Sequence, residues 1–401
     1  MTVVVTVERR FHRTPDGHVW TPSTGEYGFW QRYLEVFDKV RVLGRVREVD
    51  EVDPAWKRAD GPNVSFAAVP YFVGPVQYLL QRRRVARAVR AALGPEDAAI
   101  LRVPGTLASH LEGALRRQGR PIAVEVVADP YEVFAPGSAR HPLRPFFRWW
   151  FPRTVRRQCA RACAAAYVTA ETLQQRYPAS AGAHVTSYSS VDLTNEAFVA
   201  GPRPRRSPVE PLRVLLVGSL EQMYKGTDVL VEAVAAGVRR GLDLRLTIVG
   251  DGKHRTELEA AARACGIAER TRFAGNLLAG DPVRAELDRA DLFVMPSRTE
   301  GLPRALIEAM ARGLPCVGSH VGGIPELLCR EELVPPGDAE ALTAKMAEIM
   351  NDADRMARLS ARNLKKAHEF HRDVLRPRRR AFYEVVRQAN LEWRRDMGIG
   401  T

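Results

Sequence analysis

Short runs of β-branched and aliphatic residues alternate with amphipathic stretches along the whole chain, in two series separated by a Pro- and Arg-rich connector. The first series comprises TVVVTVE (2–8), KVRVLGRV (39–46), VSFAAVPYF (64–72), AAILRVP (98–104), IAVEVVAD (122–129) and AAAYVTAE (164–171). The second comprises LRVLLVGSL (212–220), LRLTIVGDG (244–252), TRFAGNL (271–277), DLFVMPS (291–297) and LPCVGSH (314–320). Near-continuous apolar strands joined by stretches such as TDVLVEAVAAGVRRG and RTELEAAARACG specify parallel sheets covered on both faces, because each crossover helix packs back on the sheet it left. The connector GPRPRRSPVEP (201–211) can continue neither element. The expected fold class is α/β, with two doubly wound, Rossmann-like domains facing each other. Ligands are expected in the cleft beyond the carboxyl ends of the strands. A length of 401 residues, beyond the roughly 250 to 300 that one core serves, agrees with two domains.

The apolar runs fall far short of the roughly 18 residues a membrane span needs, and the N-terminus lacks a basic region followed by an apolar stretch, so the chain reads as cytoplasmic. Cys159, Cys163, Cys265, Cys316 and Cys329 are odd in number and form no CxxC pair, which argues against a disulfide framework or a zinc site. The net charge of +13 is uneven. No acid occurs from Gly61 to Pro95, and the stretch from Arg140 to Arg161 mixes arginines with FFRWWF. Nucleotide phosphates, anionic lipid and nucleic acid are the partners such charge suits, against the plain alternative of a solvated Arg-rich surface.

Candidate chemistry sits at the strand ends of the second series. Gly218 permits a tight turn in VGSLEQMYKGTD, and Lys225 stands beside a helix start near Thr227, where free N–H groups and a cation can meet an anion together. VGDGKH, with Gly252, is a second such turn, but it lacks the third glycine of a dinucleotide fingerprint. In SRTEGLPRALIEAM, Pro303 and Gly313 bracket a helix whose N-terminus falls at Gly301 to Arg304. Glu300 precedes that helix and Glu308 lies about one and a half turns into it. Taken singly, Lys225 could be an exposed loop lysine, Glu300 a cap and Glu308 a solvated helix acid.

Together these elements resemble the retaining glycosyltransferases of family 4, which have the GT-B fold. The resemblance runs through VGSL, YKGTDVLVEAV, LTIVGDG, RFAGNL, ADLFVMPSRTEGLPRALIEAMARGLPCVGS, VGGIPELL and LVPPGDAEAL, about residues 212 to 350. It implies that Glu308 accepts hydrogen bonds from the ribose hydroxyls of a nucleotide and that Glu300 holds hydroxyls of the donor sugar. The amides around Leu302, Pro303 and Arg304 would face the distal phosphate, with only Leu302 and Arg304 able to donate. Lys225 would neutralise the departing diphosphate, so that no metal or other cofactor is needed. The implied donor is a nucleoside-diphosphate sugar, with a UDP-sugar expected, and the implied acceptor a hydroxyl on a lipid-linked glycan or small molecule. The implied pathways are cell-surface polysaccharide, glycolipid or secondary-metabolite synthesis.

The sequence departs from that pattern in places. Ser219 stands where the family commonly has an arginine on the phosphates, which leaves Arg298, Arg304 or an arginine of the first half to compensate. The usual double-glycine loop of the first domain is absent, and Gly25 in STGEYG is the nearest candidate. A histidine common at the end of the strand IAVEVVAD is replaced: Val127 falls there, and Asp129 becomes the candidate for orienting or deprotonating the acceptor, or else a cap before Pro130. The expected domains are 1–197 completed by a final helix at 375–401, a linker at 198–211, and a donor domain at 212–374. That helix would dock through Phe382, Val385, Val386 and Leu391. RPFFRWWFPRTVRRQ suits an anionic membrane surface on the cytoplasmic side, although prolines 142, 145 and 152 argue against one continuous helix. A catalytically silent nucleotide-sugar-binding protein stays open as an alternative. So does a nucleic-acid-binding protein, for which no RNP-like or helix-turn-helix signature exists.

Overall fold

The computed structural model describes residues 1–22, 24–135, 141–204 and 211–399. Arg140 and residues 205–210 of the connector lie outside the described residues. The first half forms one sheet from β1 (Thr2–Arg13), β2 (Val19–Thr21), β3 (Lys39–Glu48), β4 (Lys57–Arg58), β5 (Val64–Val69), β6 (Ala98–Val103), β7 (Ala123–Val126), β8 (Ala164–Tyr167) and β9 (His184–Ser187). Its parallel part runs β5-β3-β1-β6-β7-β8-β9. β1 continues past a register shift between Thr6 and Arg10, and its far end pairs antiparallel with β2. The second half forms a wholly parallel sheet from β10 (Leu212–Val217), β11 (Leu244–Val249), β12 (Thr271–Gly275), β13 (Leu292–Met295), β14 (Cys316–Ser319) and β15 (Leu333–Val334), in the order β12-β11-β10-β13-β14-β15.

The helices are α1 (Tyr27–Trp30), α2 (Gly74–Ala91), α3 (Thr106–Arg117), α4 (Pro130–Val133), α5 (Arg144–Cys159), α6 (Thr172–Arg176), α7 (Thr227–Arg239), α8 (Arg255–Ala264), α9 (Asp281–Arg289), α10 (Arg304–Ala311), α11 (Ala339–Met350), α12 (Ala353–Ala367) and α13 (Arg372–Asp396). Alternation along β1 divides the first core. Val4 packs with Val85, Leu107, Val155 and Leu173 of α2, α3, α5 and α6, whereas Val3 and Val5 pack with Trp30 and with Phe382 and Val386 of α13. The final helix thus crosses back to the first sheet, against β6, β8 and β9. Phe382 and Val386 are buried there, while Val385 and Leu391 are only partly so.

One expectation fails. α5 is a single helix through Pro152, with Pro145 in its first turn where the missing N–H is harmless. A proline inside a helix costs about 3 kcal/mol. Burial of Thr154, Val155, Gln158 and Cys159 against the core offsets it, and the carbonyls of Trp149 and Trp150 accept from Arg153 Nη1 (3.3 Å) and Thr154 Oγ1 (3.1 Å).

Strand order reverses between β1 and β6 in the first sheet and between β10 and β13 in the second. At such points neighbouring loops leave in opposite directions and open a crevice.

Candidate functional site

The loops after β10 and β13 flank the crevice of the second sheet, and they are locked together. Gly226 ends the short turn Met223–Lys225 at φ +69°, and a Cβ there would lie 2.0 Å from the Pro296 carbonyl oxygen. Only glycine allows this approach. The Arg298 N–H donates to the Tyr224 carbonyl (2.7 Å), and the Arg298 guanidinium holds Asp228 with two bonds of 2.7 Å. Arg298 is therefore committed to the scaffold and does not stand in for the arginine missing at Ser219. Ser219 is exposed, its hydroxyl accepting from the Glu221 N–H (3.2 Å) within its own turn.

This scaffold brings Lys225 and Glu300 together. Lys225 Nζ lies 2.6 Å from Glu300 Oε1, with side chains 14% and 8% exposed, and Ser297 Oγ donates to the same oxygen at 2.8 Å. Gly218 has room for the lysine stem because it lacks a Cβ, which would come within 3.3 Å of Lys225 Cγ. Burial opposes the Lys225 charge, but the Glu300 carboxylate outweighs it and holds the ammonium above the ordinary lysine value. Glu300 is not a helix cap: α10 begins after Pro303 with no side-chain cap.

Glu308, on α10, has no partner: among the described residues nothing hydrogen-bonds to its carboxylate. Burial raises its pKa above the ordinary 4.5, with Arg304 and Arg284 pulling the other way. Arg304 is exposed at the start of α10 and forms no ion pair among the described residues. Gly252, at φ +153°, lets the turn after β11 lie against the one after β10, where a Cβ would stand 2.3 Å from the Glu221 nitrogen.

The crevice is closed by the first domain. A Cβ on Gly301 would come within 3.0 Å of the Val127 carbonyl oxygen. The Gly323 N–H donates to the Gly301 carbonyl at 2.7 Å. Beyond it, Glu326 caps the start of α6 in the first domain, accepting from the N–H groups of Ala170 (2.6 Å) and Thr172 (2.8 Å) and from the Thr172 hydroxyl (2.6 Å). Neither Ser297 nor Glu326 was singled out from the sequence. The PS and VGGIPELL stretches were the available signals.

Asp129 is spent on structure. It is 2% exposed, caps α4 through the Tyr131 N–H (3.0 Å), and is bonded by Arg176 and the Tyr177 hydroxyl. The capping alternative describes these bonds, which hold Oδ1 twice and Oδ2 once. Gly25 lies in the first domain at φ +111°, its carbonyl accepting from Trp30 Nε1 at 2.7 Å. A second polar group, unforeseen, sits at the end of β7: buried Glu125 accepts from the hydroxyls of Tyr33 (2.9 Å) and Tyr188 (2.9 Å) and from Arg102.

Residues 211–352 match the family described as glycosyl transferases group 1. The colanic acid biosynthesis glycosyltransferase WcaL of Escherichia coli K12, described as putative in that role, is 34% identical over 200 residues, 47% of this chain and 48% of that one. Over that stretch the chain is similar to the group 1 glycosyltransferases. A similarity at 26% identity spans 82% of this chain and 87% of a mannosyltransferase of Mycolicibacterium smegmatis, named as GDP-mannose-dependent and acting on phosphatidylinositol monomannoside. Among solved structures, Anabaena HepE in complex with UDP-glucose superposes with a TM-score of 0.61 at 15% identity, covering 99% of both chains. That likeness shows the fold alone, which is GT-B. Among the described residues no helix is long and apolar enough to cross a membrane.

Proposed function

We propose that this chain transfers a sugar from a nucleoside-diphosphate sugar, with a UDP-sugar as the expected donor, to a hydroxyl acceptor with retention at the anomeric carbon. The observation that carries the reading is the pairing of Lys225 with Glu300 beside the strand-order reversal of the second sheet, with the unpartnered Glu308 on the helix that follows. Glu308, left without a hydrogen-bond partner, takes the ribose hydroxyls. Lys225 takes the diphosphate, the work a divalent metal does elsewhere, and Glu300 takes sugar hydroxyls. Until the donor enters, the 2.6 Å ion pair lets each of these two groups neutralise the other. In the reaction the bond from the anomeric carbon to the distal phosphate oxygen breaks, with its electron pair leaving on that oxygen. The acceptor oxygen bonds to the carbon from the same face, and its proton passes to the departing phosphate. HepE, solved with UDP-glucose, supports a nucleotide-sugar donor. The GDP-mannose dependence in the name of the M. smegmatis relative makes GDP the rival base.

The reading extends to an acceptor at an anionic membrane surface in polysaccharide or glycolipid synthesis. On α5, Phe146, Trp149 and Trp150 are each about half exposed beside Arg153 and Arg156. On α2, in the same helical layer, Val76, Leu79 and Leu80 are 69%, 58% and 82% exposed, followed by the Arg82–Arg84 run. Apolar side chains beside cations suit an interface of lipid headgroups. The relative whose name specifies a phosphatidylinositol glycoside as its acceptor supports the same class.

Thermal shift with UDP-, GDP-, ADP- and dTDP-sugars identifies the donor, because a ligand that binds only the folded chain raises its melting temperature. The expected result is stabilisation by one of these and release of the matching diphosphate in the presence of acceptor. Absence of both would refute the assignment. Sedimentation with anionic vesicles at low salt, lost on Trp149→Ser with Trp150→Ser, tests the surface. Equal binding by neutral vesicles would point to a soluble acceptor.

A further inference from the structure

At one point the two domains are held together by a single carboxylate. Glu326, in the second domain, spends both oxygens on the segment that opens α6 in the first. Its Oε2 accepts from the Ala170 N–H (2.6 Å), and its Oε1 accepts from the N–H groups of Glu171 (3.2 Å) and Thr172 (2.8 Å) and from the Thr172 hydroxyl (2.6 Å). α6 has no side-chain cap of its own. The start of a helix leaves N–H groups without intrahelical partners and favours a negative charge, so a residue of the other domain supplies what a local Asp, Ser or Thr normally would. A cavity of about 70 Å³ lies beside the contact, bounded by Leu302 and Glu326 of the second domain and by Val168, Ala170 and Ser189 of the first. Apolar packing is incomplete there, and charge-assisted hydrogen bonds join the two surfaces.

On its own side Glu326 is tied to the loop that carries Glu300. It ends the short turn Ile324–Glu326, which is anchored by the fully buried Ile324. Just before that turn, Gly322 and Gly323 press against the backbone of 300–301. A Cβ on Gly322, at φ +52°, would stand 2.1 Å from the Glu300 carbonyl oxygen, and one on Gly323 would stand 2.6 Å from that of Gly301 and 3.0 Å from Thr169 Cγ2 in the first domain. The Gly323 N–H bonds to the Gly301 carbonyl along the same seam. The first-domain side is stiff: Thr169 is 1% exposed, its hydroxyl accepts from the Leu173 N–H (3.0 Å), and its carbonyl accepts from Gln174 Nε2 (2.6 Å). Bonds and close backbone contacts thus run without a break from Glu300 through Gly301, Gly323 and Glu326 to α6.

We propose that Glu326 is a positioning residue for sugar transfer: by pinning the VGGIPE turn to the first domain it supports the Glu300–Leu302 loop from behind and fixes where the Glu300 carboxylate stands. This rests on the donor reading given above. Glu326 acts only through Gly323 and Gly301. Its loss lets the loop retreat and moves Glu300 relative to the sugar. Lys225, held by the Gly226 and Arg298 contacts within the second domain, and Glu308, on α10, keep their places on the nucleotide.

The assignment is tested on wild type, Glu326→Gln and Glu326→Ala by amide hydrogen exchange, by calorimetric titration with UDP and GDP, and by release of diphosphate from UDP-glucose and GDP-mannose with water as acceptor, with melting temperatures recorded for each. Glu326→Ala should speed exchange of the 170–172 amides by about 10-fold or more, because their partner is gone. It should lower the maximal rate of diphosphate release about 10- to 100-fold well below the melting temperature, the scale of a displacement of about 1 Å at a reacting centre. Affinity for the diphosphate that binds should change by less than about twofold. Glu326→Gln, which keeps one oxygen to face Thr172, should recover part of the protection and part of the rate. Unchanged exchange would overturn the proposal by showing that the contact is not made in solution. Faster exchange at an unchanged rate would overturn it by leaving Glu326 a cap and nothing more. Loss of diphosphate affinity in parallel with the rate would do so too, by making the carboxylate a support of the whole donor domain. If wild type binds neither UDP nor GDP, or releases neither from its sugar, the donor reading itself fails and the positioning role with it. If wild type does both and Glu326→Ala matches its rate, only the positioning role fails.

Discussion

The strand ends of the second domain and those of the first handle charge in opposite ways. In the second, Lys225 and Glu300 pair, Glu308 has no hydrogen-bond partner among the described residues, and glycines at 218, 226 and 252 thin the walls where backbones and the lysine stem approach. In the first, the acids are consumed. Glu125 is saturated by two tyrosines and Arg102, Asp129 by Arg176, Tyr177 and a backbone N–H, and Glu8 caps α3. The second domain keeps polar groups available to a ligand, whereas the first uses them to hold itself rigid and exposes apolar and cationic side chains. A saturated buried network holds its shape but has no valence left for chemistry. Under the proposed function, that difference suits the second domain to the donor and the first to an acceptor surface.

Breaking the available side of the comparison should have the largest effect. Lys225→Ala should reduce the maximal rate by roughly 100-fold or more, the scale of one lost preorganised stabilising group. Magnesium should not restore it. A loss of a few-fold, or rescue by metal, would show that the diphosphate charge is met elsewhere.

Glu300→Gln should lower single-turnover rate by about 10-fold or more while nucleoside diphosphate affinity stays near normal, because charge close to a cationic transition state matters more there than in the ground state. It also frees Lys225 of its partner, so tighter binding of free diphosphate would be consistent. A normal rate with a lowered melting temperature would make Glu300 structural, like the acids of the first domain.

The saturated side should respond in the other manner. Asp129→Asn removes the charge matched to Arg176, and the loss in stability should be on the order of 1–2 kcal/mol, discounted because Arg176 is about one-third exposed and keeps Glu132 at 3.0 Å. The rate at temperatures well below melting should change little. A rate loss with an unchanged melting temperature would return Asp129 to the reaction.

The smallest effect concerns Glu308 and pH. Burial raises its folded pKa above the ordinary 4.5. An acid so shifted binds its proton more tightly when folded, so the ionised form destabilises the free protein above that pKa, and the penalty fades as pH falls toward the unfolded value. Glu308→Gln should therefore melt slightly higher than wild type at neutral pH, with the two curves converging in acid. Wild-type affinity for nucleoside should decline at a pH above 4.5, where the carboxylate is lost as an acceptor for the ribose. An affinity independent of pH, or one unaffected by Glu308→Gln, would remove Glu308 from the ribose site.

The two domains also differ in how far they could be read in advance. The eleven apolar runs all became strands, because burial on both faces leaves a continuous apolar signal. β2, β4, β9 and β15 passed unnoticed, being two to four residues long and with no period to detect. The acids of the proposed donor site lie on one short stretch around a helix start, where chain-local rules of turn and helix decide geometry and the sequence can be read directly. Asp129 was ambiguous for the converse reason: Arg176 and Tyr177, which claim it, are nearly fifty residues away. Pro152 misled, since its local penalty is real but smaller than the burial that overrides it.

By itself the sequence determined the layers, the two sheets, the order of their loops and the cluster of acids before and within α10, all consequences of short-range periodicity and backbone stereochemistry. Only the tertiary structure decided which charges meet. It paired Lys225 with Glu300 across 75 residues, withdrew Arg298 into a bond with Asp228, and set Glu326 on the first domain. Such choices depend on how two packed domains bring distant side chains within a few ångströms, where Coulomb forces and desolvation become strong, and no spacing along the chain encodes that distance.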